Sequence, residues 1–454
     1  MLSRKLKVSR EDIPLLVSAV CLVILILGGV FTVGVVAQRK NIPPAPQLIS
    51  VFQTLKGLFS EGEKDPLYEH LQPARGQGAG VVVNERPDDN ALILLLGFFD
   101  NQTEARLIRR DGSVVKKWPL VYSEHFPDQN ARVCDLATDL NVDAHGVVLS
   151  PDGELVFNYE YCGTVKLDRC GKVLWTVNKR THHTVVAAEA GGYWLAGRDL
   201  WWAKDDPDRL PPFSQTEENY EIGEDTILRL SEGGEVLEEY SVPALLRENG
   251  LEPLLTSNVR ILPRPELVHV NKVAELSSEM SASFPLFKAG DLLVSLRNMN
   301  LVMVIDPATK RVKWKQVGPW LRQHDPEFRP DGKISIFDNN GYRTGYDSHG
   351  QTILDRPHVT NIIAVDPATH ETETLYGLKP GQEMLSVVRG QHEILENGGM
   401  LITEFDAGRV FEVDASGNIL WSYVNQYDED HVGEITNAVL YRPGYFKTDW
   451  ASCQ

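Results

Sequence analysis

Five histidines recur at one place in a repeated pattern, each opening a short strand-like run. They are His145 in HGVVLSPDGELVFN, His183 in HTVVAAEAGGYWLAG, His269 in HVNKVAEL, His324 in HDPEFRPDGKISIFD and His392 in HEILENGGMLITE. A neutral imidazole, with an unperturbed pKa of about 6.5, is a nucleophile, a base and a metal ligand. Two chemistries are therefore open. Three or four neutral rings could hold zinc, iron or copper. Alternatively, one ring attacks a transferable group while its neighbours and an arginine bind the developing negative charge. Nearby residues favour the second. Asn271 follows His269 by two, which in a strand places both on one face. Arg297 in LLVSLRNMN, with Asn339 and Arg343 at the FDNN end of another run, are donors suited to an oxyanion rather than carboxylates suited to a metal. Simpler roles remain open beside these. Histidine in such a slot can tie neighbouring repeats together, and either arginine can pair with one of the many acids.

The elements that must position these groups repeat. An apolar run, a turn, a second run and an aromatic recur as LIRRDGSVVKKW to Trp118, VKLDRCGKVLW to Trp175 and ILRLSEGGEVLEEY to Tyr240. They return as VMVIDPATKRVKW to Trp314, IIAVDPATHETETLY to Tyr376 and VFEVDASGNILW to Trp421. The runs are short, rich in Val, Ile, Leu and Phe, and bounded by Asp-Gly, Gly-Gly or Asp-Pro turns, so each reads as a strand. Each histidine-opened run lies upstream of one copy; the first copy, VVVNERPDDNALILLLGF, has none. About four strands per unit, unable to bury both faces alone, predict an all-β, six-bladed β-propeller. If the histidine strand is innermost in each blade, the five rings converge at one mouth of the axial channel. The Pro- and acid-rich insertions Asp199–Glu224 and Val242–Leu262 read as long loops on one face.

The segments LVSLRN, VIDPATKRVKW, GPWLRQHDPEF, DGKISIFDNN and LITEFDAGRVFEVDASGNILWSYVN together resemble the bacterial arylsulfotransferase family over residues 145–425. That resemblance implies an exported six-bladed propeller that moves a sulfuryl group from an aryl sulfate donor to a phenolic acceptor. It implies a sulfohistidine intermediate, with no nucleotide donor, no cofactor and no metal. Carried over by motif, His269 and Asn271 hold the sulfate, and the QHD histidine is His324. The arginine after the FDN turn is Arg343, and His392 is the nucleophile. Arg297, Asn339, His183 and His145 complete the substrate-binding set. Trp194, Trp201, Trp202 and Trp320 are candidates for holding the phenol, whereas the blade-closing Trp175 and Trp314 read as core. A non-catalytic propeller serving as an extracytoplasmic interaction module is the alternative.

Composition narrows the setting. The chain has 454 residues, 42% hydrophobic and 24% charged, as in globular proteins, and its formal net charge of −18 argues against a nucleic acid partner. Residues 13–37 form a nearly uncharged run long enough to span a bilayer as a helix. Arg4, Lys5, Lys7 and Arg10 precede it and only Arg39 and Lys40 follow closely, which puts residues 1–12 in the cytoplasm. The expectation is a single-pass inner-membrane protein facing the periplasm, although Val35-Val36-Ala37 would also pass as a signal-peptide cleavage site. Residues 38–79 read as a Pro-rich linker and a stalk helix, which leaves a homodimer open, and residues 80–454 as the propeller. In an oxidising compartment Cys134, Cys162, Cys170 and Cys453 can pair in three ways or remain thiols. One pairing closes a small Cys162–Cys170 loop and joins Cys134 to Cys453.

Overall fold

A computed structural model describes residues 70–127, 134, 138–211, 213, 221–258, 266–347, 350–450 and 453. The expected span at 13–37 and the stalk helix lie outside them. Among the described residues no helix is long and apolar enough to cross a membrane.

Six antiparallel sheets form the six blades of a β-propeller. The inner strands are Ile435–Tyr441 in blade 1, Ala144–Leu149 in blade 2 and Thr181–Ala187 in blade 3. Val270–Glu275, His324–Phe328 and Gln391–Ile394 serve blades 4, 5 and 6. Each of these touches the next around a closed ring. In blades 2 to 6 the following three strands are consecutive in sequence, ending at the expected aromatic. Blade 1 is assembled from both ends: its inner strand is C-terminal, while Leu92–Phe99, Gln102–Arg109 and Val114–Pro119 come from the start of the domain. That is why the first sequence copy opens without histidine. Its leading run, Gly80–Asn84, instead forms a fifth, outermost strand of blade 6. A further short strand, Leu71–Pro73, pairs with His431–Gly433.

Central strands read as continuous apolar runs because both faces are covered by adjacent blades. Leu301–Asp306 and Leu292–Leu296 are buried throughout. The aromatics closing blades 1, 5 and 6, Trp118, Tyr376 and Trp421, are all but inaccessible. Hairpin turns follow the sequence signals: Gly332 adopts φ +82°, and a Cβ there would meet the Ser283 carbonyl oxygen at 2.5 Å. The DPATK turn closes instead on Lys310, left-handed at φ 56°.

Several expectations change. The insertion after Asp199 is not simply a loop: Tyr193–Trp202 and Glu221–Leu230 run on as a long paired ribbon. The second insertion forms two short helices, Val242–Glu248 and Glu252–Asn258. The first is capped by Ser241, whose hydroxyl accepts from the Ala244 N–H. The disulfides pair Cys134 with Cys162 and Cys170 with Cys453. Cys162 and Cys170 lie at opposite ends of the strand Gly163–Leu167. The five extended residues between them alone span roughly 13–16 Å, beyond a disulfide's reach.

Candidate active site at the mouth of the central channel

Every inner strand enters from the same mouth, and the histidines stand at their entrances. In blades 2 to 5 a β-bulge interrupts the ladder at this point, between Ala144 and Val147, His182 and Val185, Val270 and Lys272, and His324 and Glu327. A bulge adds a residue and re-aims the side chains around it. The left-handed conformation recurs beside the bulges, at His183 (φ 55°), His269 (φ 57°) and Asp325 (φ 47°). In residues with a Cβ such conformations carry strain and concentrate at functional sites. After His145 the chain needs glycine, because a Cβ on Gly146 would lie 2.4 Å from the His183 carbonyl oxygen.

Four rings meet as a result. His183 is the hub, with centroid separations of 4.6 Å to His145, 4.8 Å to His269 and 5.9 Å to His324. The Nε2 atoms of His183 and His269 face each other at 3.2 Å. All four rings are buried, and burial pushes each pKa down, that of His324 to about 3. The nearby Arg297 guanidinium adds to the shift at His269 and His324. These imidazoles are neutral at physiological pH.

Hydrogen bonds set their tautomers. His324 Nδ1–H donates to Asn339 Oδ1 at 2.7 Å. The Asn339 amide group is held by the Ser386 and Arg389 carbonyls, which orients that oxygen toward the ring. The opposite nitrogen, His324 Nε2, is buried with no hydrogen-bond partner among the described residues. His269 Nδ1–H donates to Glu266. Glu160 lies 3.2 Å from Nδ1 of both His145 and His183. Burial opposes it, but the two imidazoles hold its carboxyl well below the usual value.

Arg297 follows the second strand of blade 4 in a short 3-10 turn, with Nη2 3.5 Å from Glu266 and a buried, unpartnered Nε. Arg198 bridges Asp225 and Glu266 on the same side. Arg389, left-handed at φ 55°, stands over the Phe405 ring and pairs with Asp143. It occupies the blade 6 entrance, where the sequence pattern suggested His392.

The other expected residues are placed differently. The inner strand pair of blade 6 has no bulge: its ladder runs unbroken from Gln391 to Ile394. Ordinary pleating then turns His392 away, so that Nε2 lies 2.7 Å from Ser335 Oγ and Nδ1 lies 3.3 Å from Asp325. Among the described residues it makes no ring contact with the other four. Asn271 sits in the blade 4 bulge, so the two-residue rule that put it on the His269 face fails; its amide donates to the Gln323 carbonyl of blade 5. Arg343 is exposed on a turn whose N–H bonds the Asn340 carbonyl. Trp194, Trp201 and Trp320 are core residues, and Trp202 is exposed.

Farther along the axis, all six inner strands line a second chamber of about 330 Å³. Lys272 bonds both Asp325, at 2.6 Å, and Glu327 there. Those carboxylates hold the Lys272 ammonium charged against burial, while burial raises Glu393 to about 7.

The sequence profile of the Arylsulfotransferase (ASST) family matches residues 140–426, the stretch that carries the four-histidine mouth. The chain belongs to the arylsulfotransferase family. No curated protein sequence matches it. Among solved structures, a Bacteroides caccae protein of unknown function is 14% identical with TM-score 0.48, covering 78% of this chain and 99% of its own. A catalytically inactive virginiamycin B lyase from Staphylococcus aureus with quinupristin is 10% identical with TM-score 0.41, covering 82% and 98%.

Glu160, Arg389 and His182 are the mouth residues that sequence reasoning missed. His182 precedes the repeated histidine by one, and Glu160 ends the second strand of blade 2 with no periodic signal. Arg389 was visible only as the arginine of RGQHEILENGG.

Proposed function

We propose that this arylsulfotransferase-family chain moves a sulfuryl group from an aryl sulfate to a phenol, with His324 Nε2 as the nucleophile. One observation carries the assignment: that nitrogen is buried and unpartnered, while Asn339 accepts the only ring proton at Nδ1. A lone pair is thereby directed into the mouth, and a neutral imidazole there needs no base to release it.

In the first half-reaction the lone pair attacks sulfur. The N–S bond forms, the S–O(aryl) bond breaks, and the phenolate leaves with its electron pair. Negative charge on the three sulfuryl oxygens is offset by the Arg297 guanidinium. In the second half the acceptor phenol loses its proton to His269 Nε2, whose ring proton sits on Nδ1 toward Glu266. Its oxygen then attacks sulfur, and the N–S electron pair returns to His324. Asn339 keeps the ring in register throughout. His392, first carried over by motif as the nucleophile, becomes a partner of Ser335 and Asp325 in this reading. The reaction would take place outside the cytoplasm if residues 13–37 anchor the chain as their composition implies.

The test is intact-mass spectrometry of the full-length protein incubated with an aryl sulfate and no acceptor. The expected result is one added sulfuryl group, about 80 Da, carried by a covalent intermediate and mapping to His324. An adduct on His392, or donor turnover that survives His324→Ala, would overturn the assignment.

A further inference from the structure

Among the described residues, two largely buried clusters combine histidine with carboxylates: His145, Glu160 and His183, and separately His70, Asp143 and Glu434. Their surroundings differ in a way that decides what each can hold.

The second cluster is already occupied by protein cations. His70 donates from Nε2 to the Leu140 carbonyl and from Nδ1 to its two carboxylates, so the ring is an imidazolium. Arg389 adds a second positive charge beside Asp143 and Glu434. Positive and negative charges balance, and no lone pair is left over.

Around Glu160 the count is different. Among the described residues no lysine or arginine nitrogen pairs with it; its ion-pair partners are the two imidazoles. Both rings are buried. His182 deepens the deficit. Its Nε2–H donates to the Gly197 carbonyl, so its Nδ1, 2.9 Å from His183 Nδ1, presents a further lone pair. Glu160 Oε1 and His182 Nδ1 compete for a single His183 proton. The cluster gathers a carboxylate and three imidazole nitrogens, with the His183 backbone N–H also donating to Glu160 at 3.3 Å.

We propose that His145 Nδ1, Glu160 and His183 Nδ1 form a binding site for one divalent transition-metal ion of the zinc class. The three ligand atoms lie within 4.8 Å of one another, and each ring Nδ1 is 3.2 Å from one of the two Glu160 oxygens. Metal–ligand bonds of about 2.0–2.2 Å in a tetrahedron put ligand atoms roughly 3.3–3.5 Å apart, so small shifts suffice. Two imidazoles and one carboxylate suit zinc, cobalt, nickel or copper rather than calcium or magnesium. The Glu160 side chain is 15% exposed, which leaves a path for the ion. An ion on His183 Nδ1 would leave the ring proton on Nε2, the nitrogen that faces His269. The site does not depend on the sulfuryl-transfer reading.

The experiment strips the full-length protein with a chelator and titrates it with Co²⁺, whose visible bands report tetrahedral N/O ligation. The expected result is one equivalent bound, displaced by Zn²⁺, with no aryl sulfate present. Glu160→Gln, which keeps the side-chain shape, and His145→Ala should each weaken binding at least about tenfold. His324→Ala should bind as the parent does. Thermal melts of the metal-free variants establish that each is folded. Absence of a saturable Co²⁺ spectrum in the parent would overturn the proposal, as would full binding in both Glu160→Gln and His145→Ala. Loss of binding only in His324→Ala would place the ion at the other side of the cluster and overturn it equally.

Discussion

His324 and Asp325 are adjacent, yet they serve opposite halves of the channel. The bulge and the left-handed backbone at Asp325 turn one side chain to the mouth and the other to the inner chamber. At the mouth, four neutral imidazoles crowd together and His324 Nε2 goes unpaired with no carboxylate beside it, whereas the chamber's unpartnered His392 Nδ1 lies 3.3 Å from Asp325. In the chamber Asp325 bonds Lys272 and the His392 N–H, and Lys272 bonds Glu327 as well. An unpaired buried polar atom costs stability, so a fold retains one where something else benefits. Paired charges in the chamber tie blades 4, 5 and 6 together. In the proposed function the mouth carries the reaction, while the chamber's charge pairs hold blades together.

The sharpest way to break that contrast is to remove one histidine from each half. His324→Ala should lower kcat/KM for aryl sulfate cleavage at least about 10³-fold, as loss of a covalent nucleophile does, and His392→Ala should stay within about tenfold of the parent. Equal losses would mean that the two halves act as one site. Arg297→Met comes next, with an expected loss of about 10²–10³ in kcat, the scale for removing one donor to a developing oxyanion. An effect confined to KM would reduce Arg297 to ground-state binding.

Lys272→Met probes the other half. Removing one partner of a buried ion pair costs about 3–5 kcal/mol. Urea unfolding should show that loss, while the folded enzyme keeps its kcat; an unchanged midpoint would show the pairing to be idle. The smallest effect concerns pH. The nucleophilic form of His324 is the neutral ring, and its pKa is lowered to about 3. The yield of the sulfuryl adduct should therefore hold level from about pH 8 to 5 and fall only in stronger acid. A decline centred near about 6.5, the value for a water-exposed imidazole, would show that the mouth is hydrated and the ring unshifted.

Much of the architecture was legible because it repeats. The turn and closing-aromatic pattern marked all six blades in order, and the histidine-opened runs identified five inner strands. The sixth was hidden, since Ile435–Tyr441 closes blade 1 from the far end of the chain and bears Asn437 rather than histidine. His392 matched the pattern in type and place but not in geometry. Asn271 failed for the complementary reason, a bulge that shifts alternation by one. Bulges leave little mark in sequence because they depend on how a strand meets its partner. The disulfide pairing was likewise a choice among three, decided by strand length and by where the C-terminus returns.

Residue types and their spacing were enough to specify an all-β repeat protein with six blades, a converging set of histidines and an arylsulfotransferase resemblance. Periodic burial forces the repeat architecture, because each four-stranded unit must cover its faces with neighbours, while the resemblance rests on the motifs themselves. Which nitrogen is left with a free lone pair is a different kind of fact. It depends on Asn339 reaching His324 within blade 5, on Glu160 standing between His145 and His183, and on Arg389 taking the blade 6 entrance. The Glu160–His183 and Arg389–Asp143 contacts cross blades, so only the closed ring of the tertiary structure could decide them.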